Sequence, residues 1–165
     1  MVDKAEARHQ IEGLIYGYAE AIDDGDLARV AEIFEQAEVS PAPGAVLHGG
    51  QAVAEMFARH TIFYDANGPA DPRTSRTKPH TRHVVTNLRI DVAADGLSAT
   101  AKSYVIVFQA SKDFALQPVF RNRYRDRFVC EVGCWRFAAR EMLHDEFGRG
   151  DTSRHLYTSP RELSR

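Results

Sequence analysis

Cysteine is scarce in this chain: two among 165 residues, Cys130 and Cys134. Two are too few for a disulfide framework. They flank Glu-Val-Gly, which reads as a hairpin turn, so they either face each other across it or stand as free thiols in a reducing compartment. No apolar run approaches the roughly 20 residues that span a bilayer, so no membrane partner is expected. Met1 to Gln10 is mostly polar and lacks the apolar core of a signal peptide, which predicts a cytoplasmic protein. Neither sign of charge dominates: the formal net charge is -2, and nothing calls for nucleic acid as a partner. A Gly-rich phosphate loop, a nucleophile elbow, a Cys-x-x-Cys pair and a recognisable set of iron ligands are all missing. No cofactor is expected.

What is present is ordinary for a globular protein, with 44% hydrophobic and 27% charged residues. The length predicts one domain over 1–165, with 147–165 a polar surface tail. Ile11, Leu14, Ile15, Tyr18 and Ile22 fall on one helical stripe, which Asp24-Gly25 ends. Asp26 caps a second helix carrying Leu27, Val30, Ala31 and Phe34. A third is expected after Gly49-Gly50, with Val53, Met56, Phe57 and His60 on one face. Residues 65–79, rich in Pro, Asp, Thr, Ser and Arg, read as a long loop, either a lid or loosely ordered.

From His83 onward the period changes to two. Val84, Thr86, Leu88, Ile90 and Val92 predict one strand, and Ser98–Gln109 a second. A third runs from about Gln117 to Glu131, and a fourth from Cys134 to about His144. Helices followed by long antiparallel strands predict an α+β domain, its helices packed on one face of a strongly curved sheet. Such a sheet can enclose a cone whose interior holds a ligand.

The chemistry-bearing candidates fall along this scaffold. Asp23 ends the first helix and His83 opens a strand; a carboxylate holding a histidine is a standard general acid/base. The plainer reading is a helix-ending Asp and a strand-end His. Asn87 lies four residues after His83, so an unbulged strand points both into one space. Tyr18, Tyr104 and Tyr124 either direct phenols into the cone or pack in the core. Arg140 either holds a carboxylate or enolate in the cavity, or pairs with Glu141 or another surface acid. Arg121, Arg123, Arg125 and Arg127 form a stripe on one sheet face, read as a solvated surface or a subunit interface paired with acids. Asp23-Asp24-Gly25-Asp26 lacks the spacing and terminal Glu of a calcium loop. His80-x2-His83 lacks a third ligand, so no metal is expected.

Several runs together resemble the NTF2-like superfamily, and within it the SnoaL-like group. They are Tyr18-x4-Asp23, Asp26-Leu-x6-Phe34, His83-x3-Asn87-Leu-x-Ile90, Arg123-Tyr-x-Asp126 and Trp135-Arg-x3-Arg140, over roughly Ala5 to His155. The resemblance implies a cone-shaped α+β barrel. Two lyases of that superfamily, scytalone dehydratase and hexachlorocyclohexane dehydrochlorinase, are cofactor-free and use an Asp-His dyad. Their dyad corresponds to Asp23 and His83, and a pocket arginine of the second to Arg140. Departures are clear too. Ile22 stands where the dehydratase has a tyrosine, Phe108 near its second histidine, and Tyr18 where the dehydrochlorinase has a lysine.

The resemblance implies a lyase of the dehydratase type, or an isomerase, acting on a small hydrophobic cyclic molecule such as a polyketide-like or steroid-like compound. A binding protein without turnover and the small subunit of a ring-hydroxylating dioxygenase are the rival expectations. An open sheet face predicts a homodimer or homotrimer.

Overall fold

The computed structural model describes residues 3–73 and 76–160. Three helices come early: α1 Lys4–Asp24, α2 Leu27–Ile33 and α3 Gly50–His60. Asp3 caps α1, its carboxylate accepting from the Ala5 and Glu6 amides. The row Ala7, Ile11, Ile15, Ala19 and Asp23 advances four residues at a time, and all five are buried. Asp23 therefore continues the apolar edge of the helix rather than merely ending it. Gly25 stops α1 in the left-handed conformation, with φ 74°.

The described residues form eight strands, the first two lying between α2 and α3: β1 Glu38–Ala42, β2 Ala45–His48, β3 Phe63–Asp65, β4 Gly68–Ala70, β5 Thr81–Val92, β6 Ser98–Ser111, β7 Phe114–Glu131 and β8 Cys134–Arg149. Six of them form one sheet in the order β2-β1-β8-β7-β6-β5, antiparallel except where β1 lies parallel to β8. The helices cover one face of it. The core joins Ile11, Ile15, Tyr18 and Ile22 of α1 to Val105, Tyr124, Phe128 and Phe137 of the sheet. Register shifts interrupt the ladders at Thr86/Arg89, Val107/Phe108 and Arg127/Phe128, and bulges of this kind bend a sheet.

Expectation and structure differ in several places. The 65–79 segment is not a plain loop: it contains β4, which pairs back on β3, and Lys78 exchanges two backbone hydrogen bonds with Tyr64. Positions 74–75 of it lie outside the described residues. Strand β8 runs to Arg149, past the expected start of the tail at 147. His155 beyond it is buried; positions 161–165 lie outside the described residues. Cys130 and Cys134 are free and do not oppose each other, because Cys130 pairs with Trp135 and Cys134 with Glu131. The turn is only Val132-Gly133, both with positive φ.

The arginine stripe lies on the outer sheet face and is paired with acids. Arg121 and Arg123 reach Asp145 at 3.3 and 3.1 Å, Arg125 reaches Glu141 at 3.5 Å, and Arg127 reaches Glu38 at 3.9 Å. Among the described residues no helix is long and apolar enough to cross a membrane.

Candidate active site

Asp23 and His83 meet. Asp23 Oδ1 lies 2.7 Å from His83 Nδ1, and both side chains are more than nine-tenths shielded from solvent. Two further donors fix the carboxylate: the Thr81 hydroxyl at 2.7 Å on Oδ1 and the His83 amide at 2.8 Å on Oδ2. Burial opposes ionisation of Asp23. The hydrogen bonds and charge of His83, with the Thr81 hydroxyl, outweigh it and hold the carboxyl below its ordinary value. An ionised Asp23 makes Nδ1 the protonated ring nitrogen and leaves Nε2 as the basic one. Thr81 opens β5, and the strand start thus delivers three of the four groups of this cluster.

Tyr18 comes next. Its ring meets the His83 ring edge-on with centroids 6.2 Å apart, and it lies near Phe34, Phe57 and Tyr124 at 5.3, 6.3 and 6.4 Å. Burial first, then the neighbouring Tyr124, pushes the Tyr18 phenol well above its ordinary value. Burial also raises Tyr124. Both phenols therefore stay protonated near neutral pH and remain hydrogen-bond donors.

Arg140 lies behind them, fully buried. Asp126 is its register partner across β7 and β8, and the two side chains form a bidentate pair at 2.8 and 2.9 Å. The guanidinium carbon also stands 4.5 Å from the Tyr18 ring centre, 4.3 Å from Tyr124 and 4.8 Å from Phe137. Burial works against its charge, but Asp126 more than offsets that and holds the proton more firmly than usual. The guanidinium is not free, because Asp126 takes Nε and Nη2, while Nη1 stays buried without a hydrogen-bond partner in the protein. The acid is neither Glu141 nor on the surface.

Two expected site residues lie elsewhere. Asn87 is exposed with φ 51°, at the register shift between Thr86 and Arg89. The extra residue reverses the strand's parity, so Leu88 and Ile90 turn inward instead. Tyr104 is 52% exposed on the outer sheet face. On β6 the odd-numbered residues Ala99, Ala101, Ser103, Val105 and Val107 face the core, which sends Tyr104 outward.

Thr81, Asp126 and His155 were not expected as site residues, although Asp126 closes one of the family-like runs. A carboxylate at 126, on the buried parity of β7 between Tyr124 and Phe128, was the available signal for one of them. His155 comes from beyond the sheet and stacks edge-on with Phe120 at 5.5 Å. Burial, then the charge of His83, lowers its pKa to about 4, with Asp23 acting in the opposite direction.

Cavities of about 310 to 530 Å³ open on the outer sheet face, one lined by Tyr104, Arg121 and Arg123, and others run along α2 and α3. None of these, among the described residues, has Asp23 or His83 in its wall. Also among the described residues, no group of three or more His, Cys, Asp or Glu is placed to hold a metal ion.

The fold is shared widely. An NTF2-like protein with a cystatin-like fold from Novosphingobium aromaticivorans matches at 22% identity and TM-score 0.67, over 87% of this chain and 85% of that one. LinA matches at 17% identity and TM-score 0.66, over 90% and 92%. A scytalone dehydratase-like protein from Novosphingobium aromaticivorans matches at 22% identity and TM-score 0.61, over 88% and 95%. No curated protein sequence matches. The family model of the SnoaL-like domain matches residues 3–141, and the architecture is the NTF2-like α+β fold with helices on a curved, mostly antiparallel sheet. The chain belongs to the SnoaL-like domain family.

Proposed function

We propose that this protein is a cofactor-free lyase or isomerase in which His83 is the general base and acid and Asp23 its partner. The single observation that carries the reading is the 2.7 Å contact between Asp23 Oδ1 and His83 Nδ1, shielded from solvent and fixed by two further hydrogen bonds to the carboxylate. His83 Nε2 takes a proton from carbon. The electron pair left behind forms a double bond as a hydroxide leaves from the neighbouring carbon. The imidazolium then protonates that hydroxide, giving water and restoring the neutral ring. Returning the same proton to a different carbon makes the reaction an isomerisation. Asp23 stabilises the imidazolium through either course, as a buried carboxylate does for a histidine base elsewhere.

The surroundings favour one class of substrate. Tyr18 and Tyr124 supply neutral phenols beside the dyad, suited to an oxygen that gains negative charge. Asp126 balances the charge of Arg140, which leaves only the Nη1 donor unpartnered. An uncharged, largely hydrophobic ring compound fits this environment best.

Proton abstraction is testable without the natural substrate. In D2O, the protein is expected to speed exchange of the acidic carbon-bound protons of 2-tetralone, followed by proton NMR. His83→Gln should lose that catalysis, a factor of about 100 to 10,000 for a positioned base. Asp23→Asn should weaken it by at least about 100-fold. Exchange by the His83→Gln variant at the wild-type rate would contradict the reading, as would absence of wild-type exchange.

A further inference from the structure

Six buried side-chain polar atoms among the described residues have no hydrogen-bond partner in the protein, and three of them belong to Thr77, Gln109 and His155. Each of these three lies one step from the dyad. Gln109 is the register partner of Thr81, whose hydroxyl bonds Asp23. The Thr77 carbonyl closes on the end of α1, where a Cβ at Gly25 would stand 2.1 Å from it. The charges of both His83 and Asp23 reach His155. A buried polar group left unpaired is costly, so three of them on segments that adjoin the dyad call for a reason.

The segment that carries His155 is firmly seated. The Ile62 amide donates to the His155 carbonyl at 2.8 Å, and the Tyr157 amide to that of His60 at 3.0 Å. Gln109 Nε2 and the Tyr64 hydroxyl both donate to the Arg154 carbonyl, at 2.8 and 2.6 Å. Backbone contacts therefore anchor the segment, and the imidazole of His155 is not needed for that purpose. Its Nδ1 and the Gln109 Oε1 remain unpartnered.

We propose that His155 is a second ligand-binding residue of the dyad site and that, with Gln109 Oε1, it recognises a hydroxyl group on an uncharged ring compound. The proposal rests on the dyad reading above. A hydroxyl is the one group that can answer either orphan atom, donating to Oε1 or accepting from Nδ1–H. A carbonyl only accepts, and a halogen does neither well. The ligand is neutral because Asp126 balances the Arg140 charge and His155 itself carries none near neutral pH.

The test compares 2-naphthol with naphthalene, titrated at pH 7 into wild type, His155→Phe, His155→Leu and His155→Asn and followed by NMR. Wild type is expected to prefer 2-naphthol by about 5- to 10-fold, the worth of one net hydrogen bond. His155→Phe, which keeps the stack on Phe120, should lose the preference while binding naphthalene unchanged. His155→Leu repeats the test should the larger ring disturb folding, and His155→Asn should regain part of the preference. A preference that survives both apolar substitutions overturns the proposal, as does equal or absent binding of the two compounds by wild type. Exchange of 2-tetralone protons by the same preparations separates these failures: if it persists, the dyad reading stands and only the role of His155 falls.

Discussion

The Asp126 carboxylate and the Arg140 guanidinium face each other directly across β7 and β8, joined by two hydrogen bonds of 2.8 and 2.9 Å and almost entirely closed from solvent. Of the two expectations for Arg140, an anion in the cavity or a pair with an acid, the pairing is what the fold shows, with a buried acid in place of a surface one. The pair's place among Tyr18, Tyr124 and Phe137 makes it part of the wall behind the dyad.

Breaking that pair from one side leaves a buried charge alone. Asp126→Ala is expected to lower stability by about 3–5 kcal/mol, measured by urea unfolding. A loss below about 1 kcal/mol would mean that Arg140 finds another partner or escapes to water.

The low pKa of His155 makes stability depend on pH in a defined direction. The folded protein holds His155 neutral down to about pH 4, whereas the unfolded chain takes up a proton near the ordinary value of 6.5. Between those values the unfolded state binds more protons, so stability rises with pH and is lost on acidification. The full shift corresponds to about 3 kcal/mol. His155→Phe should flatten the stability profile across this window, read from thermal unfolding at pH 7, 6, 5 and 4. Parallel profiles for the two proteins would show that another group is responsible.

Tyr104 and Asn87 are expected to be silent in catalysis. Tyr104→Phe should leave the 2-tetralone exchange rate unchanged and alter stability by no more than about 0.5 kcal/mol. Asn87 occupies the left-handed region. Asn87→Gly should be tolerated, whereas Asn87→Val should cost about 1–2 kcal/mol of stability through backbone strain alone. A loss of exchange activity with Tyr104→Phe would place the outer sheet face in the mechanism.

Much of this was legible in the sequence. The α1 stripe, the Gly25 stop, the Asp26 cap and the long period-two strands follow from local rules that the structure obeys. Asp23 and His83 could be singled out because each sits at an element end beside a recognisable pattern. The misplacements share one physical origin. A strand's inward face is a matter of parity, and one bulged residue at Thr86/Arg89 reverses it, moving Asn87 outside without any change in composition. For Tyr104 the clue lay in the small and apolar odd-numbered residues of β6, which mark the core side better than a single aromatic does. His155 was hidden for a different reason. Its segment reads as polar tail, and only the tertiary docking against Ile62, Gln109 and Phe120 gives it a role.

In the proposed mechanism Asp23 fixes His83 as a base with its free nitrogen at Nε2. Nitrogen-15 NMR of the His83 ring, at a pH where it is neutral, tests this directly. The expected result is a protonated Nδ1 hydrogen-bonded to Asp23 and an unprotonated Nε2. A neutral ring carrying its proton on Nε2 would contradict it, since Nδ1 would then face a carboxylate with no proton between them and no basic nitrogen would be left for substrate.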